Sequence, residues 1–360
     1  MSCKILITGQ YYTEIYEKPF FEGFKQLGCE VYAFKWHPYF EGYTLPKYLS
    51  TPKNILKSFY YKVQNKFLFG PSVKNLNRDL IQECKEIKPD IVFVYRGAHL
   101  FPKTLQKIKA QSGLMIFGYN NDDPFSNNYP WYYWRHFLKG LRYYDHLFAY
   151  RQKNIEDYKK LGYSNCSLLR SYYLSHKNFP IESIGDSPYQ CDVIFIGHWE
   201  NDGREEALKL LIENEIDVKI YGTLWERSKY YNFFKEKIGE IVPLYKDYNL
   251  ALNRAKIAVV FLSKLNNDTY TRRCFEIPAT KTMMLAEHTD DLASLFEKGK
   301  EAEYFKNKEE LLRKVKCYLS NPKEIKKIGE NGYNKLLNDG HEVTDRCREV
   351  IKVYEELRNI

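Results

Sequence analysis

Short apolar segments that end next to a glycine recur along the 360 residues of this chain and constrain its fold most strongly. Four of them are Lys4–Thr8, Asp90–Tyr95, Asp192–Ile196 and Val218–Tyr221. Helix-type patterns separate them, for example at Pro19–Leu27 and Glu205–Asn214. Strands that alternate with helices predict βαβ units and a mostly parallel sheet, which binds ligands at the carboxyl ends of its strands. The predicted fold class is therefore α/β.

The strand–helix pattern stops once along the chain and then starts again. Ser175–Pro188 is rich in Ser, Pro and Gly and has no periodicity, so we interpret it as a linker. The predicted domains, both Rossmann-like, are residues 1–180 and 181–343, and the amphipathic segment 344–358 is expected to pack back on the first. Two such units joined by a linker are the layout of the GT-B fold, whose mostly parallel sheets face an interdomain cleft.

Charge and composition exclude several classes of protein. The net charge of +9 favours anionic partners such as nucleotides, acidic lipids or nucleic acid, but no RNA- or DNA-binding signature is present. Apolar runs stay below the about 18 residues that span a bilayer, and the apolar start is too short for a signal peptide. The eight cysteines are scattered, which argues against disulfides and metal sites. The expected location is the cytoplasm.

The segment from Asp268 to Lys281 carries the most chemistry. Its two acids, Asp268 and Glu276, stand eight residues apart, after one predicted strand and across the start of a helix. A carboxylate there could accept hydrogen bonds from a ribose diol, and Arg272, Arg273 and Lys281 could neutralise a diphosphate. The alternative is a capping acid beside a solvated basic face.

A second candidate phosphate site follows the strand Asp192–Ile196. Gly197 would let backbone amides approach a phosphate, and Arg204 would add positive charge. His198 lies between them, although a single histidine is more often a structural hydrogen-bonding residue than a ligand. Gly222, after the next strand, is expected to line the nucleobase pocket together with Trp225, for which a core position is equally compatible with the sequence.

Candidate acceptor and catalytic residues follow strands of the first domain. Asp122 and Asp123 come after Leu114–Tyr119, where a carboxylate could act as a base or bind acceptor hydroxyls. The alternative is a simple turn, because Asn-Asp-Asp-Pro favours turns. The other candidates for acceptor binding are Gly9, Tyr11, Tyr12 and Arg96. We predict no bound metal.

Lysines alternate with aromatic residues between Lys47 and Lys74. This pattern suits a helix that contacts the inner face of a membrane, and it equally suits the solvated face of a helix packed on the core. We name residues 47–74 as the candidate for peripheral membrane contact.

The stretch around Phe275-Glu276, with Arg273 ahead and Met283–Glu287 behind, resembles the C-terminal domain of CgeB-like (spore-maturation-type) glycosyltransferases. It is also similar to the wider retaining glycosyltransferase family 4. The blocks Gly197-His-Trp-Glu and Asp122-Asp-Pro have counterparts in the CgeB-like family. The resemblance implies that Glu276, the second acid of an acid-x7-acid motif, binds the donor ribose. It places Asp268, where the family usually has Glu, near the transferred sugar.

Three positions depart from the pattern of these families. His198 stands where the wider family has Arg, Arg204 where it has Lys, and Lys281 where a glycine normally follows the helix. The resemblance implies that His198 and Arg204 hold the diphosphate. The long side chain of Lys281 would then lie beside the donor site, where it could bind phosphate or block the pocket.

The resemblance implies a metal-independent, retaining hexosyltransferase of polysaccharide biosynthesis. Its donor would be a nucleotide diphosphate sugar, with no further cofactor. Its acceptor would be a cell-surface glycan, a lipid-linked molecule or a protein. Two alternatives stay open: a sugar-nucleotide epimerase, and a non-catalytic binding or surface-assembly protein of the same fold.

Overall fold

The computed structural model describes residues 3–40, 52–182, 185 and 187–359, with the backbone alone for 52–54. The chain forms two compact units. Unit 1 comprises Met1–Arg170 and Val343–Ile360, and unit 2 comprises Ser171–Glu342. The division therefore falls at Arg170, ahead of the boundary at 180 that the sequence suggested.

Unit 1 contains a six-stranded parallel sheet in the order β2-β1-β3-β4-β5-β6. Its strands are β1 (Lys4–Gly9), β2 (Glu30–Lys35), β3 (Ile91–Tyr95), β4 (Met115–Asn120), β5 (His146–Ala149) and β6 (Cys166–Leu168). Every side chain of β3 is buried, which is why this strand reads as a continuous apolar run. Its helices are α1 (Glu17–Gln26), α2 (Pro52–Phe67), α3 (Pro71–Ile87), α4 (Pro102–Lys109), α5 (Arg135–Gly140) and α6 (Gln152–Lys160).

Unit 2 contains a five-stranded parallel sheet in the order β11-β10-β9-β7-β8. Its strands are β7 (Cys191–Ile196), β8 (Val218–Tyr221), β9 (Ala255–Val260), β10 (Met283–Glu287) and β11 (Glu303–Phe305). Its helices are α7 (Arg204–Glu213), α8 (Tyr231–Ile238), α9 (Tyr248–Arg254), α10 (Arg273–Glu276), α11 (Asp290–Leu295), α12 (Lys308–Leu319) and α13 (Pro322–Asn338). The prediction of two parallel α/β units is confirmed.

The last helix, α14 (Val343–Arg358), belongs to unit 1 and packs on α1. The two helices approach closely at Gly23, where an added Cβ would lie 2.8 Å from Sγ of Cys347. The Cys347 thiol also lies 3.7 Å from the carbonyl oxygen of Phe20. A larger residue at position 23 would displace the Cys347 side chain.

The expected linker is attached to unit 2 over its described part. The backbone N–H of Phe179 donates to Oδ1 of Asn249 (3.1 Å), and that of Ile181 donates to Oδ1 of Asn253 (2.8 Å). Both asparagines lie on α9 and also donate to the Phe179 carbonyl. A Ser- and Pro-rich composition therefore marks an irregular segment here, but side-chain amides fix its backbone.

The basic and aromatic region after residue 46 forms two helices, α2 and α3, which Gly70 separates with a φ of 118°. Residues 47–51 of the candidate membrane stretch lie outside the described residues. No helix in the described part of the chain is long and apolar enough to cross a membrane.

Candidate functional site

The carboxyl ends of β7 and β8 approach each other without room for side chains. Gly222 has a φ of 151°, and a Cβ on it would lie 1.9 Å from the carbonyl oxygen of Gly197. Trp225 donates its indole N–H to that same oxygen at 3.0 Å. Trp225 is buried, so it belongs to the core of unit 2 and does not line a pocket. The two glycines thus leave backbone, not side chains, at this edge of the sheet.

Glu200 connects the loop after β7 with the loop after β9. Its Oε1 lies 2.9 Å from Nε2 of His198, and its Oε2 accepts a hydrogen bond from Ser263 at 3.0 Å. Burial alone would raise the pKa of Glu200, but the hydrogen bond from His198, the charge of Arg204 and the Ser263 hydroxyl together lower it to about 2. Glu200 is therefore a carboxylate over the whole physiological range, and His198 is held in place by it.

The position of Arg204 differs from the expectation that its charge holds the diphosphate. Its side chain is 1% exposed and donates from all three guanidinium nitrogens to protein groups. Nε and Nη2 bind the carboxylate of Asp202 at 2.8 and 2.6 Å, and Nη1 binds the carbonyl of His198 at 2.8 Å. A diphosphate would have to displace these partners. Arg204 therefore shapes the turn before α7 instead of presenting its charge to a ligand.

Glu276 lies on α10 with its carboxylate shared between two neighbours. Oε1 lies 2.6 Å from Nε of Arg272, and Oε2 accepts a hydrogen bond from the Tyr248 hydroxyl at 2.8 Å. The guanidinium of Arg272 in turn lies over the ring of Tyr172, 5.3 Å from its centroid. Burial and the charge of Glu276 raise the pKa of Tyr248 well above its ordinary value, so Tyr248 stays a hydrogen-bond donor.

Arg273 and Asp268 lie next to this cluster in the chain. Arg273 begins α10, and its buried Nε has no hydrogen-bond partner among the described residues. Asp268 is half-buried in the loop between β9 and α10, and its backbone N–H donates to the Ser263 carbonyl at 3.0 Å. Both therefore lie on the segment that leaves the carboxyl end of β9.

The position of Lys281 differs from the expectation that its side chain lies beside the donor site. It follows the one-turn 3-10 helix Pro278–Thr280 and lies two residues before the first residue of β10, so it lies at the amino-terminal edge of the parallel sheet. Its ammonium lies over the ring of Tyr333 on α13, 5.1 Å from the centroid. The exposed side chain therefore neither binds nor blocks a ligand at the carboxyl edge. Its φ of 61° explains why glycine is favoured at this position.

Unit 1 places a buried carboxyl group at the end of β1. Glu17, on the first turn of α1, is 2% exposed, and its Oε1 accepts a hydrogen bond from the backbone N–H of Gln10 at 2.8 Å. A Cβ on Gly9 would lie 2.5 Å from that oxygen, so a larger residue there would displace the Glu17 carboxyl group. Burial raises the pKa of Glu17, although the backbone donors and the charge of Arg96 partly offset this.

Tyr11 and Tyr12 differ in accessibility. Tyr11 has a φ of 52°, and its buried hydroxyl has no hydrogen-bond partner among the described residues. Burial and the nearby Glu17 raise its pKa. Tyr12 is exposed, with its side chain in solvent. Of the two, Tyr11 has the buried polar atom that a ligand could satisfy.

Arg96 and Asp122 form an ion pair at the carboxyl edge of the same sheet. Nη2 of Arg96 lies 3.0 Å from Oδ2 of Asp122, and Nε lies 3.3 Å from Oδ1 of Asn121. Arg96 has a φ of 71°, an uncommon conformation for a residue with a side chain. The guanidinium also lies over the ring of Tyr16, at 5.5 Å. The structure thus brings together an expected acceptor residue and an expected catalytic residue.

Asp123 has a different role from Asp122. It is fully buried, and its Oδ1 accepts hydrogen bonds from the backbone N–H of Phe125 (2.9 Å) and from Nδ2 of Asn154 (2.7 Å). The hydrogen bond from Phe125 is that of a turn, and through both bonds Asp123 fixes the loop after β4. A carboxylate with these partners is not available to a substrate.

Sequence reasoning missed three residues of these clusters: Glu17, Glu200 and Tyr248. Glu200 belongs to the Gly-His-Trp-Glu block, so its charge is a usable signal in the sequence. Glu17 lies just before the predicted start of α1, and Tyr248 has no sequence feature that separates it from the other tyrosines. Among the described residues, no group of three or more His, Cys, Asp or Glu could hold a metal ion.

Comparison with known proteins bears on the second half of the chain and on the fold. Residues 204–352 match the family model Glyco_trans_1_2, described as glycosyl transferase-like. No curated protein matches the chain. A sucrose-phosphate synthase from Thermosynechococcus elongatus has a similar structure at 10% identity, with a TM-score of 0.71 over 99% of both chains.

Other solved structures are also similar to nearly the whole chain at low sequence identity. HepE from Anabaena in complex with UDP is similar at 11% identity and a TM-score of 0.63, over 99% of this chain and 100% of that one. A glycosyltransferase from Rickettsia africae is similar at 13% identity and a TM-score of 0.64, over 99% of this chain and 98% of that one. The fold is GT-B. Unit 2 carries most of the glycosyl transferase-like domain.

Proposed function

We propose that this chain is a glycosyltransferase that takes a hexose from a nucleotide diphosphate sugar. It would belong to the CgeB-like group related to retaining family 4, act in polysaccharide biosynthesis in the cytoplasm, and need neither metal nor further cofactor. The observation that carries the proposal is the cluster of Glu276, Arg272 and Tyr248 in a glycosyl transferase-like domain. HepE, which has the same fold, is known in complex with UDP and with UDP-glucose.

The donor would bind at the carboxyl edge of the unit 2 sheet. Glu276 would accept hydrogen bonds from the ribose diol, since a held carboxylate is a strong acceptor for hydroxyl donors. Arg273 has a buried Nε without a described partner and would bind the diphosphate. The close approach of Gly197 and Gly222 would let the nucleotide lie on backbone. Asp268 stays our candidate near the transferred sugar.

The leaving diphosphate would be stabilised without a metal. A phosphate oxygen gains negative charge as the bond between the sugar and the diphosphate breaks. A cation already in position therefore lowers the activation barrier of the transfer. Arg273 is better suited to this task than Arg204, whose three nitrogens are occupied, or Lys281, which lies at the opposite edge of the sheet. His198, half exposed beside Glu200, is the second candidate.

The acceptor would bind at the carboxyl edge of the unit 1 sheet. Asp122 and Arg96 offer an acceptor and a donor at 3.0 Å from each other, which suits a sugar hydroxyl bound by both. The buried hydroxyl of Tyr11 would gain a partner there. Glu17 next to it, whose pKa is raised by burial, would be the candidate to exchange a proton with the acceptor. The acceptor would be a glycan, a lipid-linked molecule or a protein.

Nucleotide binding tests the proposal most directly. Thermal unfolding would be followed with UDP, GDP, TDP, CMP or ADP, each with and without EDTA. A ligand at about 100 times its Kd adds about 2.7 kcal/mol of stability, which raises the Tm by several degrees. We expect one nucleotide to stabilise the protein equally in both conditions. Stabilisation by none of them would contradict donor binding, and a loss with EDTA would contradict metal independence.

Product analysis separates transfer from the alternatives. A transferase consumes the nucleotide sugar only when an acceptor is present, apart from slow hydrolysis. An epimerase would convert the nucleotide sugar alone. A putative UDP-N-acetylglucosamine 2-epimerase from Listeria monocytogenes shares the fold at 11% identity and a TM-score of 0.61, which speaks to the fold and not to the reaction. Binding without turnover under both conditions would favour a non-catalytic protein.

A further inference from the structure

Helix α2 has its apolar residues on the outside. Ile55, Phe59, Val63 and Phe67 recur every four residues and are all exposed, and Leu56 beside them is 70% exposed. A helix on the surface of a water-soluble domain has the opposite arrangement, because its apolar stripe faces the core. The outward face of α2 therefore lacks an apolar partner in the described part of unit 1.

The inward face of α2 packs Tyr61 against the core and is otherwise polar and fixed by hydrogen bonds. Oε1 of Gln64 accepts from the backbone N–H of Ser72 at 2.8 Å, and Oδ1 of Asn65 lies 2.7 Å from Nε2 of the buried His99. Ser58 is also buried. These contacts set the rotation of the helix, so it cannot turn its apolar residues inward without losing them.

A second element extends the apolar surface. Trp131 is 87% exposed in the turn before α5, and the neighbouring Tyr132 ring lies 5.2 Å from the ring of Phe67. Nη2 of Arg135 donates to the carbonyls of Phe67 (2.5 Å) and Leu68 (3.2 Å). The turn is thus attached to the end of α2. We call Leu56, Phe59, Val63, Phe67 and Trp131 the α2–Trp131 patch.

All charged residues of α2 are lysines, so the helix is uniformly positive. Between Glu41 and Asp79 the sequence holds six lysines and no acidic residue. The ammonium of Lys57 lies 5.9 Å from the Tyr61 ring centroid, and that of Lys66 lies 5.6 Å from the Phe67 ring centroid. Lys66 therefore places its charge beside an exposed ring of the patch, and Lys57 places its charge beside the half-buried ring of Tyr61.

We propose that the α2–Trp131 patch docks on an anionic lipid surface. Apolar side chains would enter the boundary between headgroups and acyl chains, where Trp is the favoured aromatic residue, and the lysines would bind the acidic headgroups. Lipid is favoured over a protein partner because the positive charge is spread along the helix without one acidic residue to orient a partner. The proposal does not depend on the transferase reaction.

Vesicle binding tests the docking. The full chain would be sedimented with vesicles of phosphatidylcholine alone, and with vesicles in which phosphatidylglycerol is mixed in. We expect binding to the mixed vesicles only, decreasing with salt because the attraction is screened. Tryptophan emission should shift to the blue on binding, and Trp131→Phe should abolish the shift. Equal binding to both vesicles, or binding to neither, would overturn the proposal.

Charge variants separate the patch from the net charge. Lys57→Gln/Lys62→Gln/Lys66→Gln should lower vesicle affinity on the order of a hundredfold, at about fivefold per lysine near an anionic surface. The matched control is Lys237→Gln/Lys326→Gln/Lys352→Gln, which removes the same charge from exposed positions elsewhere. The control should bind as the unmodified protein does. A loss of the same size in both would mean that overall charge, not the patch, drives binding.

Apolar variants separate lipid from a second copy of the chain. Leu56→Ser/Phe59→Ser should weaken vesicle binding and leave the molecular mass in light scattering unchanged. The control is Leu161→Ser/Tyr245→Ser, at exposed apolar residues outside the patch. If Leu56→Ser/Phe59→Ser turned a dimer into a monomer, the patch would be a self-association surface and the lipid proposal would be wrong. Both pairs are exposed, so both variants should keep the Tm.

Discussion

The carboxylate of Glu276 already has two partners, and this arrangement prepares it for a ligand. Tyr248 donates to one oxygen and Arg272 lies beside the other, so the side chain cannot rotate freely. An oxygen accepts more than one hydrogen bond, so a ribose hydroxyl would add to these partners without displacing them. A fixed acceptor loses less conformational entropy when the ligand binds.

We expect Glu276→Gln to lower nucleotide affinity by about 1.5–3 kcal/mol, because a hydrogen bond to a charged acceptor is lost. Calorimetric titration with the nucleotide that stabilises the protein would measure this. Glu236→Gln, at an exposed residue of α8, is the matched control and should bind as the unmodified protein does. Unchanged affinity in Glu276→Gln would remove Glu276 from the donor site.

The buried Glu17 gives the stability a defined pH dependence. Its pKa in the folded protein is raised above the about 4.3 of an unfolded chain, so ionisation costs more in the folded state. The contribution of Glu17 to stability therefore falls as the pH rises through about 4.3 toward the raised folded pKa, and Glu17→Gln lacks this contribution.

We expect the Tm of Glu17→Gln, relative to the unmodified protein, to increase from pH 4 to pH 7. Calorimetric scans across that range would show it. The change with pH is the readout, since altered hydrogen bonds of the amide shift the Tm at every pH alike. Glu14→Gln, at an exposed neighbour paired with Lys18, should show no such trend. A Tm difference that is constant with pH would contradict the raised pKa.

For single residues, the sequence identifies the charged side chains but does not show which partners they face. Arg96 and Asp122 meet because they follow the neighbouring strands β3 and β4, and Arg272 and Glu276 meet because they lie four residues apart at the start of α10. Arg204 faces Asp202, two residues before it, and only the turn geometry decides that. Asp123, next to Asp122, is fully buried for the same kind of reason.

Helix α12 is held to β11 by a buried ion pair. The ammonium of Lys314 lies 2.8 Å from Oε1 of Glu303, whose Oε2 accepts from the Tyr318 hydroxyl at 2.7 Å. Burial alone would raise the pKa of Glu303, but the hydrogen bonds from Lys314, the backbone N–H of Tyr304 and Tyr318 lower it. These hydrogen-bond donors therefore favour the ionised form of Glu303.

We expect Lys314→Met to destabilise the protein by about 3–5 kcal/mol, because it leaves a buried carboxylate without its cation. Urea unfolding would measure the change. Arg313→Met on the same helix is the control, since the Arg313 side chain is exposed and ion pairs at the surface contribute about 0–1 kcal/mol. Similar losses in the two variants would mean that the buried pair has no special role.

Elements were predicted better than side chains, for a physical reason. Strands such as β3 and β7 are buried in the interior of a parallel sheet, so they appear as apolar runs that end near glycine. The orientation of α2 was not predictable, because lysines and aromatic residues alternate in the same way on a solvated helix and on a lipid-facing one. The contacts of Gln64 and Asn65 in the folded protein show which face packs inward.

The chain leaves unit 1 once and returns to it once. It enters unit 2 at Ser171 and leaves at Glu342, where Tyr173 donates its backbone N–H to the His341 carbonyl at 3.1 Å. The two ends of unit 2 are therefore adjacent. Unit 1 is built from two separate stretches of chain, and α14 covers α1 only after the chain returns. The sequence shows that the strand–helix alternation restarts after the linker. It does not show that the two ends of unit 2 are adjacent.

We expect residues 171–342 alone to fold and to keep the nucleotide affinity of the full chain. Gly197, Gly222, Arg273 and Glu276 all belong to unit 2, whose ends are already joined. Residues 1–170 alone should melt at a lower temperature than unit 1 does in the full chain, because α1 loses its cover. Circular dichroism melts and calorimetric titration would check both fragments.

The unmodified full chain is the reference for both fragments, and Glu276→Gln within residues 171–342 is the control for site-specific binding. That variant should lose affinity by the same factor in the fragment as in the full chain, because the same hydrogen bonds are removed. A folded fragment that binds nucleotide much more weakly than the full chain would mean that residues outside Ser171–Glu342 contribute to the donor site. A fragment that fails to fold would instead contradict the independence that the joined ends of unit 2 indicate.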